Sequence, residues 1–114
     1  MHKLCFFVPT SHLNDVKEAV FAAGAGQYEH YDRCCWETSG QGQFRALSGS
    51  SPYCGKKDQT HKVAEVKVET LCRDECLDAV VTALRNAHPY EEPAFEAWPV
   101  RHFPHSEHPR SEPD

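Results

Sequence analysis

The sequence of 114 residues predicts an α+β fold in the ferredoxin-like order βαββαβ, with a four-stranded antiparallel sheet and two helices on one of its faces. Predicted inward-facing residues alternate at positions 4, 6 and 8 and again at 66, 68 and 70, all apolar except Thr70, which is the period of a strand. Apolar residues at helical spacing follow each stretch, at 13, 16, 20 and 23 and at 77, 80, 84 and 87. The second set repeats the first at offsets of 62 to 64 residues, which indicates two successive strand–helix–strand units.

The first strand and the helix after it are bounded by residues with strong conformational preferences. The strand is predicted over residues 4–8 and ends at Pro9, because proline lacks the amide hydrogen that a strand donates. Ser11 is the predicted N-cap of the first helix. Gly24 and Gly26 follow the last apolar position of the helical pattern, and glycine at that position commonly ends a helix.

The middle of the chain predicts a hairpin. Aromatic and small side chains are concentrated in residues 28–38, and the alternation at the end of this stretch indicates a second strand. Residues 39–42, with two glycines, predict a turn, and residues 43–47 predict a resumed strand. Residues 48–60 contain Gly, Ser, Pro and Lys without periodicity and are predicted to form a loop.

The second half begins with the clearest strand, at residues 63–72. Its even-numbered positions are apolar or small, whereas Glu65 and two further charged residues occupy the alternate positions. Asp74 is the predicted cap of the second helix. Pro89 is predicted to end that helix by residue 86 or 87, because a proline disfavours helical geometry in the residue before it. A last short strand is predicted over residues 94–100.

One face of the predicted sheet has no helix to cover it. Cys5, Phe7, Cys35 and Phe95 are predicted to lie on that face. An open apolar face is a common association surface. The sequence therefore predicts a homo-oligomer.

The bulk composition excludes several classes of partner. The formal net charge of −5 argues against nucleic acid or an anionic membrane as the main partner. No apolar run approaches the roughly 18 residues needed to span a bilayer, and no signal-peptide pattern is present. A cytoplasmic location is therefore expected, with the cysteines reduced. The cysteines predict either small buried side chains or a loose metal site, and they lie at positions 5, 34, 35, 54, 72 and 76.

The connection between the second helix and the last strand concentrates the polar chemistry. It contains His88, Tyr90, Glu91 and Glu92 between two prolines, and we call residues 88–93 the corner. One interpretation makes His88, Glu91 and Glu92 ligands of zinc or another divalent ion, or acid–base groups, with Tyr90 as a stacking surface for a ligand. The other is a rigid connection whose carboxylates are solvated or cap backbone amides.

The sequence after the last strand differs in composition from the domain predicted over residues 1–100. Residues 101–114 are rich in proline and histidine and predict a flexible tail. His102, His105 and His108 recur at a spacing of three, which matches the roughly three residues per turn of a polyproline helix. They are candidate ligands for copper or zinc, or they form a solvated tail.

Several segments together resemble one known module. These segments are residues 4–9, 24–26, 31–36, 42–45 and 87–95. They resemble the domain inserted in the middle of NGG-interacting-factor (NIF)-like proteins, and the His-Pro-Tyr-Glu-Glu-Pro run is the most specific part. The resemblance covers about residues 3–99.

The resemblance implies a PII- and CutA-like fold and trimers that close their sheets around a threefold axis. It implies no hydrolase activity, since the dimetal site of larger members lies on two flanking halves that this sequence lacks. The tail has no counterpart in the family, and family members usually have a less elaborate loop at the place of residues 48–60.

The sequence therefore predicts a non-catalytic, oligomeric regulatory or sensor module. A small ligand or metal ion is expected to bind in clefts between subunits, near the corner, and a protein partner would receive the signal. The alternative is a divalent-metal binding or tolerance protein that uses Cys and His side chains. A small enzyme with His88 and Glu91 as acid and base ranks last, because no nucleophile or cofactor motif accompanies them. The sequence establishes no cofactor, and a zinc or copper ion is the candidate.

Overall fold

The computed structural model describes residues 1–53 and 56–103 and contains the six predicted elements in the predicted order. The strands and helices are β1 (His2–Pro9), α1 (Leu13–Ala22), β2 (Trp36–Arg45), β3 (Thr60–Cys72), α2 (Leu77–Ala87) and β4 (Phe95–Pro99). The strands form one antiparallel sheet in the order β2-β3-β1-β4. The predicted ferredoxin-like α+β fold is confirmed.

The core lies between the two helices and one face of the sheet. The alternating residues of β1 and β3 share this face because Phe6 pairs with Val68 and Val8 pairs with Val66. The predicted helical stripes pack against them. The fully buried apolar side chains from these elements are Leu4, Phe6, Val8, Val16, Val20, Val68, Val80 and Leu84. Burial of each such side chain contributes roughly 1.5–3 kcal/mol, so the core is the main source of stability.

Both helices begin differently from the prediction. Neither Ser11 nor Asp74 caps a helix, because a 3-10 turn precedes each one, at Thr10–His12 and at Asp74–Cys76. Asp74 instead accepts hydrogen bonds from the amino group of Met1 at 2.6 Å and from His2 Nδ1 at 2.7 Å. These two donors lower the pKa of Asp74. The polar residues before each helix therefore serve other contacts.

The predicted hairpin within residues 28–47 is wrong. β2 is one continuous strand, and it passes through Gly40 and Gly42 without a turn. Gly42 lies against the side chain of Glu65: a Cβ atom there would overlap Oε1, so any other residue would require that carboxylate to move. The glycine thus makes room for a neighbouring side chain, a need that the sequence does not distinguish from that of a turn.

The face of the sheet opposite the helices carries only part of the predicted set. Cys5 lies there, although its neighbours reduce its exposure to 3%. Phe95 pairs with Phe6 and packs against the core with Cys35, so the prediction that these two face outward is wrong.

Two tryptophans share the outward face instead. Trp36 pairs with Glu69, which also pairs with Cys5, and Trp98 pairs with Lys3. Trp36 is 69% exposed and Trp98 is 43% exposed. Across the described ranges, 1–53 and 56–103, no helix combines the length and the apolar character that crossing a membrane requires.

Candidate functional site

The corner begins where α2 ends, at Ala87, as Pro89 predicts. The amide of His88 still donates to the carbonyl of Leu84 at 2.9 Å, and the backbone of His88 then becomes extended. The proline therefore ends the helix one residue after its last turn and directs the chain back towards the sheet.

The imidazole of His88 is buried and holds the corner against β1. Its Nε2–H donates to the carbonyl of Phe7 at 2.7 Å, and its Nδ1 accepts from the amide of Tyr90 at 3.1 Å. A carbonyl can only accept and an amide can only donate, so these partners fix the neutral tautomer. Burial lowers the pKa of His88, and the bond to Phe7 and the charge of Glu65 oppose this shift.

This arrangement bears on the predicted role of His88. Both ring nitrogens are occupied by backbone partners, so the residue acts here as a bridge between β1 and the corner. A metal ion would have to displace one of these hydrogen bonds. A ligand or metal role for His88 therefore stays a prediction.

Tyr90 joins the corner to β3. Its hydroxyl donates to Glu65 Oε2 at 2.7 Å. Its ring lies 4.9 Å from the ring of His88, 6.2 Å from that of Tyr53 and 6.3 Å from that of Phe44, measured between centroids. Hydrogen bonds therefore hold both the backbone amide and the hydroxyl of Tyr90, and its ring contacts three other rings.

The two carboxylates of the corner are exposed. Glu91 Oε2 accepts a hydrogen bond from the amide of Ser51 at 2.8 Å, which attaches the loop after β2 to the corner. Tyr53 from the same loop also contacts His12 edge-to-face at 5.5 Å. The loop therefore folds back over the corner.

A cleft of about 640 Å³ lies between the corner, the β2–β3 ribbon and this loop. Its charged and aromatic lining residues are Phe44, Arg45, Tyr53, Glu65, Tyr90, Glu91 and Glu92. Tyr90, Glu91 and Glu92 also border a smaller cleft of about 260 Å³ near Arg85. The structure thus brings the three predicted residues after His88 to the wall of one cleft.

Four of these charged and aromatic lining residues were missed by the sequence prediction. Glu65 was assigned only to the outer face of its strand, and Phe44, Arg45 and Tyr53 fell in the hairpin and the loop. A glycine at position 42, within a stretch that pairs with β3, is the one signal that marks Glu65, because the glycine leaves space for its side chain. No comparable signal marks Tyr53.

His102 and the described cysteines do not line this cleft. His102 contacts Tyr28 edge-to-face at 5.1 Å, while His105, His108 and Cys54 lie outside the described residues. The other five cysteines are unpaired, and Cys72 belongs to the core, where burial raises its pKa to about 11. Within residues 1–53 and 56–103, no group of three or more His, Cys, Asp or Glu side chains is arranged to hold a metal ion.

Taken together, the sheet, the helices and the cleft define a ferredoxin-like domain with a candidate binding site. No protein-family model matches the chain. The chain is 38% identical over 100 residues to a protein of Halalkalibacterium halodurans and 42% identical over 96 residues to one of Mycobacterium tuberculosis, both named GTP cyclohydrolase 1 type 2 homolog. These matches cover 88% and 84% of this chain and 27% and 25% of the relatives.

Comparison with solved structures shows a similarity to the same family. A Bacillus cereus protein related to NIF3 superposes with a TM-score of 0.76 at 33% identity, over 89% of this chain and 26% of that protein. The chain is thus homologous to one domain-sized segment of NIF3-related proteins. The predicted resemblance to NIF-like proteins is confirmed. The chain spans about a quarter of the length of the curated relatives that it matches.

The divalent cation tolerance proteins share the fold. CutA from Archaeoglobus fulgidus gives a TM-score of 0.63 at 15% identity, over 90% of this chain and 87% of that protein. The corresponding protein of Thermus thermophilus gives 0.64 at 14% identity, over 93% and 90%. The predicted CutA-like architecture is therefore correct.

Proposed function

We propose that this chain is a non-catalytic regulatory or sensor module that binds a small ligand in the cleft beside the corner. The observation that carries the proposal is that Tyr90, Glu91 and Glu92 line one cleft of about 640 Å³. Ligand sites in proteins are typically concave and about 300–1,000 Å³ in volume, with apolar walls and a few placed polar groups. The cleft fits this description.

A binding role is favoured over catalysis by the hydrogen bonding of the corner. The two nitrogens of His88 are held by backbone groups, and the hydroxyl of Tyr90 is held by Glu65. A general acid or base needs an atom within reach of the substrate. The relatives carry the name of a GTP cyclohydrolase, and we propose that the segment shared with them contributes regulation rather than turnover of GTP.

The module is proposed to work as a homo-oligomer in the cytoplasm, as a trimer whose clefts lie near subunit contacts. The exposed Trp36 and Trp98 on the uncovered face of the sheet support association through that face. The unpaired thiols of the described cysteines suit a reducing compartment.

Binding of zinc or copper remains the second candidate function. Glu91 and Glu92 border the clefts on both sides of the corner, and carboxylate oxygens are ligands for divalent ions. Further ligands would come from Glu65, from a neighbouring copy or from residues outside the described ranges.

The decisive experiment is a thermal-shift screen against nucleotides, amino acids, amines, zinc and copper, followed by calorimetry of each compound that raises the melting temperature. A cleft ligand is expected to lose its effect in the Tyr90→Ala variant and in the double variant Glu91→Gln, Glu92→Gln. Glu96→Gln, which removes an exposed carboxylate from β4, is the matched control and is expected to bind as the unmodified chain does. The proposal is wrong if no compound binds or if the purified chain converts GTP.

A further inference from the structure

We propose that the cleft selects a small organic cation, a protonated amine carried on a flat apolar body. This inference rests on the proposed binding function and names its ligand class. It is drawn from the shape and chemistry of the walls rather than from the carboxylates alone. Three aromatic rings, a strand-mounted carboxylate and a net excess of negative side chains converge on one cavity.

The aromatic walls provide the surface for the flat body and for the cation. Tyr90 neighbours both Phe44 and Tyr53, and its ring plane is tilted by 54° and 52° to theirs. All three rings line the same cleft, so they form part of one concave wall. A cation within about 6 Å of an aromatic centroid is attracted by the π face, and aromatic cages of this kind recognise ammonium groups.

The charged groups of the lining favour the same ligand. Among the described residues that line the cleft, Glu65, Glu91 and Glu92 are formally negative and Arg45 alone is formally positive. An anionic ligand would meet three carboxylates, whereas an ammonium group finds an acceptor on whichever side it enters. The electrostatic balance therefore excludes anions more strongly than it excludes neutral molecules.

Glu65 is the carboxylate best placed to bind the ammonium group. It projects from β3, so its backbone is fixed by the central strands of the sheet, and its Oε2 is held by the hydroxyl of Tyr90. Gly42 leaves the space that its carboxylate occupies. A carboxylate held in this way loses little freedom when it binds an ammonium group, which improves both affinity and selectivity.

The loop after β2 forms one wall of the cleft through residues between 47 and 53. The amide of Ser51 donates to Glu91 and the ring of Tyr53 contacts Tyr90, so this wall is attached to the corner at two points. A cleft of about 640 Å³ with such walls suits a small free molecule. The chemistry that the site recognises is therefore an amine a few atoms from a ring.

The test compares three probes of similar size by calorimetry at neutral pH: 2-phenylethylamine, 2-phenylethanol and phenylacetate. The amine is expected to bind and the other two to bind at least tenfold more weakly, in line with the strength of charge-assisted hydrogen bonds. Glu65→Gln is expected to weaken binding of the amine roughly tenfold while it keeps an acceptor for Tyr90. Tyr53→Ala is expected to weaken binding of all three probes.

The controls separate this inference from the proposed function. Glu96→Gln is expected to leave the affinity for the amine unchanged, and the melting temperature of each variant identifies any loss of folding. Equal affinity for the three probes, tighter binding of phenylacetate, or full affinity in Glu65→Gln would overturn the cation selectivity and leave a binding cleft in place. If the amine does not bind but another compound from the wider screen does, the cation selectivity is likewise overturned and the binding cleft stands. Absence of every ligand would overturn both.

Discussion

His88 shows how one side chain positions a whole site. Its ring donates to the carbonyl of Phe7 and accepts from the amide of Tyr90, so it has no hydrogen-bonding atom left for solvent. Only the neutral ring satisfies both partners, because protonation would turn the acceptor nitrogen into a second donor facing an amide. The corner therefore depends on the protonation state of this residue.

The pH dependence of folding follows from this burial. The pKa of His88 is lowered in the folded chain, chiefly by burial, so the unfolded chain binds the proton more readily. Stability is therefore expected to fall as the pH drops through about 6.5, the ordinary value, towards the lower folded pKa, by at most about 1.4 kcal/mol per pH unit from this group. Urea unfolding at a series of pH values measures this change in the free energy of unfolding.

His88→Gln provides the comparison, because its side-chain amide can still donate to Phe7 but does not titrate. The variant is expected to be less stable at neutral pH and to show a shallower loss of stability on acidification. Identical pH slopes for the variant and the unmodified chain would show that His88 does not contribute.

The residues of the site were predictable to different degrees. Tyr90, Glu91 and Glu92 lie between two prolines, so their place at a rigid connection follows from local sequence. Glu65 and Tyr53 enter the cleft only through the path of the β2–β3 ribbon and the fold of the loop. Such contacts depend on tertiary packing, which no local pattern encodes.

At the scale of elements, β2 illustrates a local signal that tertiary structure overrides. Two glycines within four residues are typical of a turn, yet here both pair with β3 in a regular strand. Gly42 faces the side chain of Glu65, whereas a Cβ atom at Gly40 would meet no atom within 4 Å. The two glycines therefore offer a matched pair of substitutions.

Gly42→Ala is expected to displace the carboxylate of Glu65 and so break its contact with the hydroxyl of Tyr90. The free energy of unfolding is expected to change by less than about 1 kcal/mol, because the displaced atoms end a flexible side chain and alanine suits a strand at least as well as glycine. The ring signals of Tyr90 in an NMR spectrum report the lost contact.

Gly40→Ala is expected to leave those signals unchanged. If both substitutions move the signals equally, or if neither does, the assigned role of Gly42 is incorrect.

The helix starts were less predictable than the helices themselves. The apolar stripes located α1 and α2 correctly, because their burial determines where the helices lie. Ser11 and Asp74 have the residue types of caps, but the 3-10 turns before the helices leave them free for other partners. Capping preferences are weaker than the packing that positions the turn.

At the scale of the whole molecule, the sheet has one covered and one uncovered face. The uncovered face carries Trp36 and Trp98. Tyr31 lies outside the strands and is 72% exposed, much like Trp36 at 69%, so it serves as a control. Tryptophan is enriched in protein–protein interfaces, which favours association through this face.

Self-association through this face is expected to weaken in Trp36→Glu, because a carboxylate would be buried at the contact without a partner. Native mass spectrometry and sedimentation measure the assembly. Tyr31→Glu, at the surface outside the sheet, is expected to associate as the unmodified chain does. A monomeric unmodified chain, or dissociation by both substitutions alike, would contradict assembly through the sheet.

The bond between His88 and the Phe7 carbonyl joins positions 81 apart in the chain. Closing so long a segment costs conformational entropy that only the completed sheet offsets. A peptide of the second strand–helix unit would contain the whole sequence of the corner and would still lack its geometry. The corner is a product of tertiary assembly, present only when the two ends of the domain have met.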